Sequence, residues 1–519
     1  MAAGLRGRRA VALALLALVA ALAWAPALGA GFLADDFILL RTLGRYDGPL
    51  WAFAHNDLGG GAGHFYRPLW VLWHAAIDRA SGTAPGAFHA GNLALAAVLT
   101  LEVWALVRRL AGEWAAWVGA LGFALYPRHG ESVAWISGST DLLAGGLALG
   151  SLLAALSSRR AGERVFLAAG LAAAAAFAKE SAFVLPLLAA VVLAAAGEAR
   201  RRWLLPAAMA AAQLGVLAAR TAVVGGAGGY SEYPWSSLRA LGVAGSYVLA
   251  ALSPPQLQPL RHAALLVVPA ALLALAGWRC FVLWRAGERT RLRLALCGGL
   301  WFTIAIVPAL NLAVDLNTAN GERLLLLPSV GLALVLGALA PAPGRRSAGV
   351  LAAVGVGALA LCLLSARDWP AAQRLASEVV ADASDLGPPG GELVLVTAPV
   401  GLRTAHVFPG ATLRAALERH GRADLRVAVC IPVHVRSRRA GSVTVERRRD
   451  GGWDALTTWD APFDVPVLRD ATPLSPDCSF EAGDGWPPGL EREAVARPTP
   501  SVQPAAVAYF NGDRLLPSP

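Results

Sequence analysis

The sequence predicts a polytopic α-helical membrane protein that carries a soluble domain after its membrane part. Of its 519 residues, 56% are hydrophobic and 15% are charged, against about 25% charged residues in an ordinary soluble domain. The apolar residues form runs long enough to cross a bilayer. Arginines stand in short clusters between these runs, which is the pattern of the positive-inside rule. The net charge of +10 therefore indicates orientation, and we expect no nucleic-acid partner.

Eleven apolar runs are predicted to span the membrane. The arginines before the first run predict an uncleaved anchor with a cytoplasmic N-terminus. Later basic clusters fall in alternate loops, so an odd number of spans places the C-terminus outside the cytoplasm. Residues 238–252 are interpreted as an interfacial helix ended by Pro254 and Pro255; if they crossed, the C-terminal domain would be cytoplasmic. The predicted spans are roughly 11–30, 88–107, 114–127, 133–157, 164–178, 181–197, 204–222, 262–284, 292–309, 324–340 and 348–365.

Two adjacent carboxylates, Asp35 and Asp36, follow the first span at the outer membrane face. Carboxylates beside hydrocarbon are unfavourable and usually functional. Successive residues point in different directions, so one carboxylate can face a cavity while the other binds backbone or a ligand. A solvated helix end is the alternative interpretation of this pair. Further along the same loop, 68–80 places apolar residues on one helical face, which predicts an interfacial helix.

Other ionisable side chains gather at the outer ends of later spans. Lys179 is the single lysine of the chain, and its compact ammonium suits a phosphate, although snorkelling from a helix end would also explain it. Asp141 lies inside a predicted span, where an ionisable group is a functional candidate by default. His129 with Glu131 provides too few ligands for a metal site. The predicted substrate-binding and donor-binding residues are Arg67, His89, Asn92, Arg128, His129, Glu131, Asp141, Lys179, Glu180, Glu322 and Arg323.

These residues all map to one face, and together they suit transfer from a lipid phosphate. A carboxylate would serve as base for an acceptor hydroxyl, while the cations would stabilise the charge that develops on the departing phosphate. The chain has no P-loop, no dinucleotide-binding glycine motif in a strand–helix context, and no catalytic cysteine or serine elbow. We therefore expect Asp35, Lys179 and Glu322 to share one aqueous pocket.

The composition changes after Asp368, so we predict a membrane domain over 1–368 and an extracytoplasmic soluble domain over 369–519. The second segment is rich in Pro, Gly, Arg and Asp and has no run long enough to span. Residues 393–397, 425–435 and 443–446 have strand patterns, and 373–383 has a helical one. We expect an α+β or β-rich domain. Its two cysteines, Cys430 and Cys478, can pair if it lies outside the cytoplasm.

Six short motifs stand in order along the chain: Phe32 to Asp36, Tyr66 to Leu69, Phe88 to Asn92, Tyr126 to Gly138, Ala178 to Ser181 and Gly321 to Gly331. With them, region 30–368 resembles the GT-C superfamily of integral-membrane glycosyltransferases and is most similar to the transmembrane-and-TPR-containing branch of O-mannosyltransferases and its bacterial relatives. The chain departs from the branch at Tyr126, where a histidine is usual, and at Ser139, where an arginine is usual. The TPR array is replaced by the 369–519 domain.

The resemblance implies an inverting transfer of a sugar from a polyprenyl-phosphate donor on the extracytoplasmic face of a bacterial inner or plasma membrane. It implies no nucleotide and no other cofactor, and a divalent-metal requirement stays open. The acidic residue after the first span would be the base, which falls on Asp35 or Asp36, and we favour Asp35. The acceptor is a protein, lipid or polysaccharide hydroxyl.

Two other classes of function fit parts of the pattern. A transporter or flippase would use the charged residues at the span mouths as gates, but such proteins favour mid-membrane charges and internal symmetry. A scaffold would work through its soluble domain and would tolerate changes at Asp35 and Lys179.

Overall fold

The computed structural model describes residues 2–55, 65–198, 203–225, 237–255, 262–314, 320–409, 412–435, 441–447, 453–459, 478–482, 493–498 and 506–517. The chain divides into two compact units. The membrane unit comprises Met1–Leu28, Arg45–Leu316 and Asn320–Ala366. The C-terminal unit comprises Gly29–Gly44, Asn317–Ala319 and Arg367–Pro519. The segment that carries Asp35 and Asp36 therefore belongs to the second unit, although it precedes most of the first in sequence.

The described part of the chain is mostly helical. In chain order its α-helices are α1 Ala2–Leu22, α2 Asp36–Gly44, α3 Pro49–Ala54, α4 Pro68–Ser81, α5 Pro85–Ala111, α6 Glu113–Ala124, α7 Gly130–Val133, α8 Ser139–Ala155, α9 Ala161–Ala178, α10 Leu185–Ala195, α11 Leu204–Val224, α12 Ser237–Leu252, α13 His262–Arg285, α14 Arg289–Ile306, α15 Leu326–Leu339, α16 Arg345–Leu386 and α17 Thr412–Arg419.

Seven helical segments within the described residues are long and apolar enough to cross a membrane, as in a polytopic membrane protein. Three shorter apolar helices accompany them, over Ser139–Ala155, Glu180–Ala195 and Arg239–Leu252. The predicted count of eleven spans is therefore not confirmed. The seven segments are Pro85–Ala111, Ala161–Ala178, Leu204–Val224, Leu266–Arg285, Arg289–Ala309, Glu322–Leu339 and Arg345–Leu386.

The differences from the predicted spans have local causes. The first predicted span, 11–30, is a helix that ends at Leu22 and is followed by a 3₁₀ turn over Ala25–Gly29. Helix α6 has 12 residues, and at about 1.5 Å per residue it is shorter than a bilayer core of roughly 30 Å. The predicted span 348–365 and the predicted helix 373–383 are one 42-residue helix, α16, which continues through Pro370.

Short 3₁₀ turns precede or connect several helices of the membrane unit. Three of them carry residues that the sequence singled out: Pro127–His129, Glu180–Val184 and Glu322–Leu325. Each turn leads into a helix, namely α7, α10 and α15. The charged side chains of these turns therefore lie at the entrances of helices.

The C-terminal unit is built on a five-stranded sheet in which β1 is central. Strand β1 Glu392–Leu402 pairs in parallel with β3 Arg426–Val435, and α17 lies between them in sequence as the crossover. On its other edge β1 pairs in parallel with β8 Ala506–Phe510, which pairs with β9 Leu515–Pro517. The short strand β2 Ala405–His406 folds back on β1. Strands β1 and β3 are buried along nearly their whole length, as parallel strands usually are.

A second, antiparallel sheet completes this unit, with the strand order β4-β5-β7-β6. Its strands are β4 Gly441–Arg447, β5 Trp453–Trp459, β6 Cys478–Ala482 and β7 Glu493–Pro498. Cys430 on β3 is part of a disulfide, whereas Cys280, Cys297 and Cys362 carry free thiols. The presence of sheets as well as helices agrees with the predicted α+β character.

Candidate functional site

Two turns of the membrane unit are joined by reciprocal ion pairs. Arg128 Nη1 donates to Glu322 Oε1 over 2.7 Å, and Arg323 Nη1 donates to Glu131 Oε1 over the same distance. The backbone N–H of Arg323 also donates to Glu131 Oε2 at 2.8 Å. Each turn thus provides one cation and one carboxylate to the other. Arg128, Glu131 and Glu322 are almost completely buried, so these pairs are shielded from bulk water.

Arg128 is also bound to the end of α12. Its Nε donates to the carbonyl oxygen of Ser253 at 2.7 Å, and Tyr126 Oη donates to the carbonyl oxygen of Ala251 at 3.0 Å. Burial raises the pKa of Tyr126, so its hydroxyl stays protonated and acts as a donor. Tyr126 thus adds a hydrogen bond to α12. Arg128 Nη2 is buried with no hydrogen-bond partner among the described residues.

A third ion pair joins α8 to the break after α9. Lys179 Nζ donates to Asp141 Oδ2 at 2.5 Å, and both side chains are buried. Lys179 has an extended backbone conformation and stands between α9 and the 3₁₀ turn that begins at Glu180. The helix break brings the ammonium group to Asp141, in the first turn of α8. The single lysine of the chain is thus held inside the membrane unit and does not snorkel to its surface.

Glu180 binds two arginines from distant elements. Arg67, which immediately precedes α4, donates through Nε to Oε2 at 3.1 Å and through Nη2 to Oε1 at 2.5 Å. This is the bidentate geometry that favours arginine over lysine. Arg220 of α11 approaches Oε2 to 3.8 Å. The sequence reasoning missed Arg220, although an arginine inside an apolar run is itself a signal of function.

These nine side chains form one electrostatic group, here called the charge cluster: Arg67, Arg128, Glu131, Asp141, Lys179, Glu180, Arg220, Glu322 and Arg323. The positive charges of Lys179, Arg323 and Arg67 all act on the Asp141 carboxylate, which links the separate ion pairs. Among the described residues the cluster brings five cations together with four carboxylates. Cations gathered in a partly enclosed site are suited to an anionic ligand.

The exposure of the cluster is uneven. The side chains of Arg67, Glu180 and Arg323 are 14%, 22% and 19% exposed, whereas Arg128 with Glu322 and Lys179 with Asp141 are below 10%. Arg67, Glu180 and Arg323 therefore form the more exposed side of the cluster.

His129 and Asn92 are buried and bonded to protein groups. His129 Nε2 lies 2.9 Å from Ser329 Oγ, and burial lowers its pKa from 6.5 to about 3. Asn92 Nδ2 donates to the carbonyl oxygen of Trp135 at 2.7 Å and to that of Val133 at 3.3 Å. His89, three residues before Asn92 on α5, is also buried. The structure thus places these three residues inside the membrane unit, and Asn92 anchors the turn that leads into α8.

A polar network that the sequence reasoning missed surrounds Ser139. Trp70 Nε1 donates to Ser139 Oγ at 2.9 Å, and His74 Nε2 lies 3.2 Å from the same oxygen. Burial lowers the pKa of His74 to about 4. Ser139 thus joins α4 to the start of α8. Trp70 and His74 stand four residues apart on the predicted interfacial helix, and this spacing, which places them on one face, is the one sequence feature that could have indicated the contact.

The acidic pair lies at the start of α2 in the C-terminal unit. Asp36 Oδ2 accepts the backbone N–H of Leu33 at 3.0 Å, and Asp36 is 1% exposed. Asp35 precedes it in the same turn and is only partly buried. Ala34 has a φ of +52°, which is uncommon for a residue with a Cβ atom. Lys179 and Glu322 belong to one charge cluster, while the placement of Asp35 in a shared pocket with them stays a prediction.

The comparisons with known proteins give one partial relative. No protein-family model matches the chain. A region of 145 residues is 37% identical to the protein O-mannosyl-transferase Tmtc1 of Drosophila melanogaster, and it covers 26% of this chain and 16% of that protein. The chain is therefore a partial homologue of an O-mannosyltransferase and has several helices that are apolar enough to span a membrane.

Proposed function

We propose that the protein is a membrane glycosyltransferase that moves a sugar from a polyprenyl-phosphate donor to an acceptor hydroxyl on the extracytoplasmic face, with inversion. The observation that carries the proposal is the charge cluster, in which cations and carboxylates from several elements meet at the entrances of apolar helices. The partial similarity to an O-mannosyltransferase supports the reaction class.

The cluster would receive the donor phosphate at its exposed side. Within the charge cluster, Arg67 and Arg323 are the cations that are both partly exposed and paired with a carboxylate. A phosphate arriving there would share their N–H groups with Glu180 and Glu131. Lys179 and Arg220 add positive charge from the buried side of the cluster. Preorganised cations in a water-poor site stabilise the charge that appears on a departing phosphate.

Asp35 is the proposed base, and Asp36 supports the turn. Asp36 is buried and accepts the Leu33 N–H, so its carboxylate is committed to the local structure. In the reaction the acceptor hydroxyl would pass its proton to Asp35 as its oxygen attacks the anomeric carbon. The bond from that carbon to the phosphate oxygen breaks, and the phosphate leaves with the electron pair. Attack from the opposite side inverts the anomeric centre.

Two observations support the proposed orientation. The arginine clusters between spans predict a cytoplasmic N-terminus, and the disulfide of Cys430 is of a kind that persists in oxidising compartments. The first supports a cytoplasmic N-terminus and the second an extracytoplasmic C-terminal unit.

The test is transfer by the full chain in proteoliposomes, with radiolabelled polyprenyl-phosphate hexoses as donors. Loss of a general base lowers the rate by roughly 100- to 10,000-fold, so Asp35→Asn should lose transfer to that extent. Asp47→Asn, an exposed carboxylate only twelve residues away, is the matched control and should transfer like the wild type. Full activity in Asp35→Asn would remove the base assignment. Movement of label across the bilayer without a glycosidic product would instead establish a transporter.

The phosphate site has its own test. Arg67→Gln should raise the KM for the donor, because it removes the bidentate partner of Glu180 and one of the exposed cations. Arg159→Gln, an exposed arginine outside the cluster, should leave that KM unchanged. An unchanged KM in Arg67→Gln would place the donor phosphate elsewhere.

A further inference from the structure

The turn that carries the acidic pair is held by the C-terminal unit through its backbone. The N–H of Ala34 donates to the carbonyl oxygen of Val407 at 3.1 Å. Val407 directly follows β2, and β2 is folded back on the central strand β1. The residue before Asp35 is therefore bonded to the edge of the buried sheet.

Ala34 needs this support because its backbone is in the left-handed region, with a φ of +52°. Such a conformation persists at a residue with a Cβ atom only where the surroundings determine it. The Asp36 carboxylate contributes by accepting the Leu33 N–H, and the Val407 carbonyl supplies the contact from outside the turn. The conformation of the acidic pair thus depends on a residue about 370 positions away in sequence.

Side chains on both sides of the acidic pair make further contacts with the same region. The rings of Phe37 and Phe408 stack with centroids 6.4 Å apart, and Phe408 is 2% exposed. Arg41 forms an ion pair with Glu418 of α17. On the N-terminal side of the acidic pair, the guanidinium carbon Cζ of Arg419, at the end of α17, lies 5.9 Å from the centroid of the Phe32 ring.

The C-terminal half of α16 contacts the segment just before the acidic pair. A Cβ atom on Gly31 would lie 2.9 Å from Gln373 Cγ, so the chain passes close to α16 at a position where only glycine fits without a shift. The acidic turn therefore contacts the C-terminal half of α16, α17 and the loop after β2. These three segments belong to the C-terminal unit, in the part of the chain that the sequence assigned to a separate domain.

We infer that Phe408 and Glu418 are positioning residues for the proposed base, and that the C-terminal unit is a working part of the transferase and not an appendage. The inference rests on the proposed function, since it assigns a purpose to a contact with Asp35. Glu418 acts through Arg41 of α2, and Phe408 acts through Phe37, the second residue after Asp35. Neither side chain needs to touch a substrate.

Charge exchange between Arg41 and Glu418 tests this inference. Arg41→Glu and Glu418→Arg each break the ion pair and should lower kcat by roughly 10- to 100-fold, since a misplacement of about 1 Å is enough for such losses. The KM for the donor should stay unchanged. The double variant Arg41→Glu/Glu418→Arg restores the pair in reverse and should recover most of kcat. Arg514→Glu, which breaks the ion pair of the 61% exposed Arg514 with Asp382 in the same unit, is the control and should keep full activity.

Hydrogen exchange of the full chain provides a readout that does not need activity. The amide of Ala34 should lose protection in each single variant and regain it in the double variant. If wild-type protein transfers sugar and the single variants match its kcat despite lost protection, the positioning role is wrong. If the double variant stays as slow as the singles, the ion pair is not the relevant contact. If wild-type protein transfers no sugar while the exchange pattern holds, the proposed function fails and the positioning role falls with it, although the contact remains.

Discussion

The buried pair of Arg128 and Glu322 allows a quantitative prediction about stability. Arg128 is 0% exposed and Glu322 is 1% exposed, and the single hydrogen bond between them is supported by the bond from Arg128 Nε to the Ser253 carbonyl oxygen. Arg128→Met keeps the aliphatic bulk and removes the charge. The Glu322 carboxylate then stays buried without its counter-ion, which destabilises a folded protein by about 3–5 kcal/mol. At about 1.4 kcal/mol for each tenfold change, the ratio of folded to unfolded protein falls by roughly two to four powers of ten.

The double variant Arg128→Met/Glu322→Leu distinguishes this reasoning from a simple loss of packing. Replacing a buried ion pair by apolar residues of similar size is often neutral. The double variant still leaves the Ser253 carbonyl without its donor, at about 1–3 kcal/mol. We therefore expect it to be more stable than either single variant, with a destabilisation far below the sum of the two.

Unfolding in mixed detergent micelles, followed by tryptophan fluorescence, measures these differences. The control is Arg108→Met, whose ion pair with Glu113 has both side chains 43% exposed. An exposed pair contributes about 0–1 kcal/mol, so this variant should unfold almost like the wild type. The reasoning is refuted if Arg128→Met is no less stable than Arg108→Met. It is also refuted if the double variant loses as much stability as the two single variants added together.

Three further predictions concern other parts of the chain. Burial holds the pKa of His129 at about 3, against 6.5 in the unfolded chain. Between these two pH values the unfolded state binds more protons, so the free energy of unfolding falls by about 1.4 kcal/mol for each pH unit below 6.5. His129→Gln should therefore flatten the melting temperature as a function of pH in this range. A Cβ atom on Gly138 would lie 2.0 Å from the carbonyl oxygen of Glu131, so Gly138→Ala should fail to accumulate as folded protein, whereas Gly170→Ala, with nothing within 4 Å, should be as stable as wild type or slightly more stable. Removing the disulfide with Cys430→Ser should lower the melting temperature of the C-terminal unit by an amount equivalent to about 2–4 kcal/mol, and a reductant should do the same to wild type but not to the variant.

The sequence predicted the apolar helices better than their ends. The run 262–284 is α13, His262–Arg285, because an uninterrupted apolar stretch determines its own secondary structure in a membrane. The predicted separation of the span 348–365 from the helix 373–383 is wrong, since α16 is continuous through Pro370. A proline removes one backbone hydrogen bond and usually ends or kinks a helix, but the buried Trp369 and Ala372 on either side pack this part of α16 and keep it helical.

The sequence also identified most of the charge cluster, but not its pairing. Short motifs indicated Arg128, Glu131, Glu322 and Arg323 as candidates, since charged residues are uncommon beside apolar runs. The exchange of partners between the two turns depends on residues separated by more than 190 positions. Such contacts arise from helix packing, which local periodicity does not encode. The same holds for the contact between Ala34 and Val407.

The burial of the charge cluster supports the proposal that it serves a ligand. If its purpose were only to join helices, apolar side chains of similar size would stabilise the membrane unit as well or better, since buried ion pairs carry a large desolvation penalty. Arg67 and Arg323, each paired with a carboxylate, lie on the more exposed side of the cluster, where a phosphate would share their N–H groups. The proposed binding of an anion therefore gives the buried charges a purpose that helix packing alone does not require.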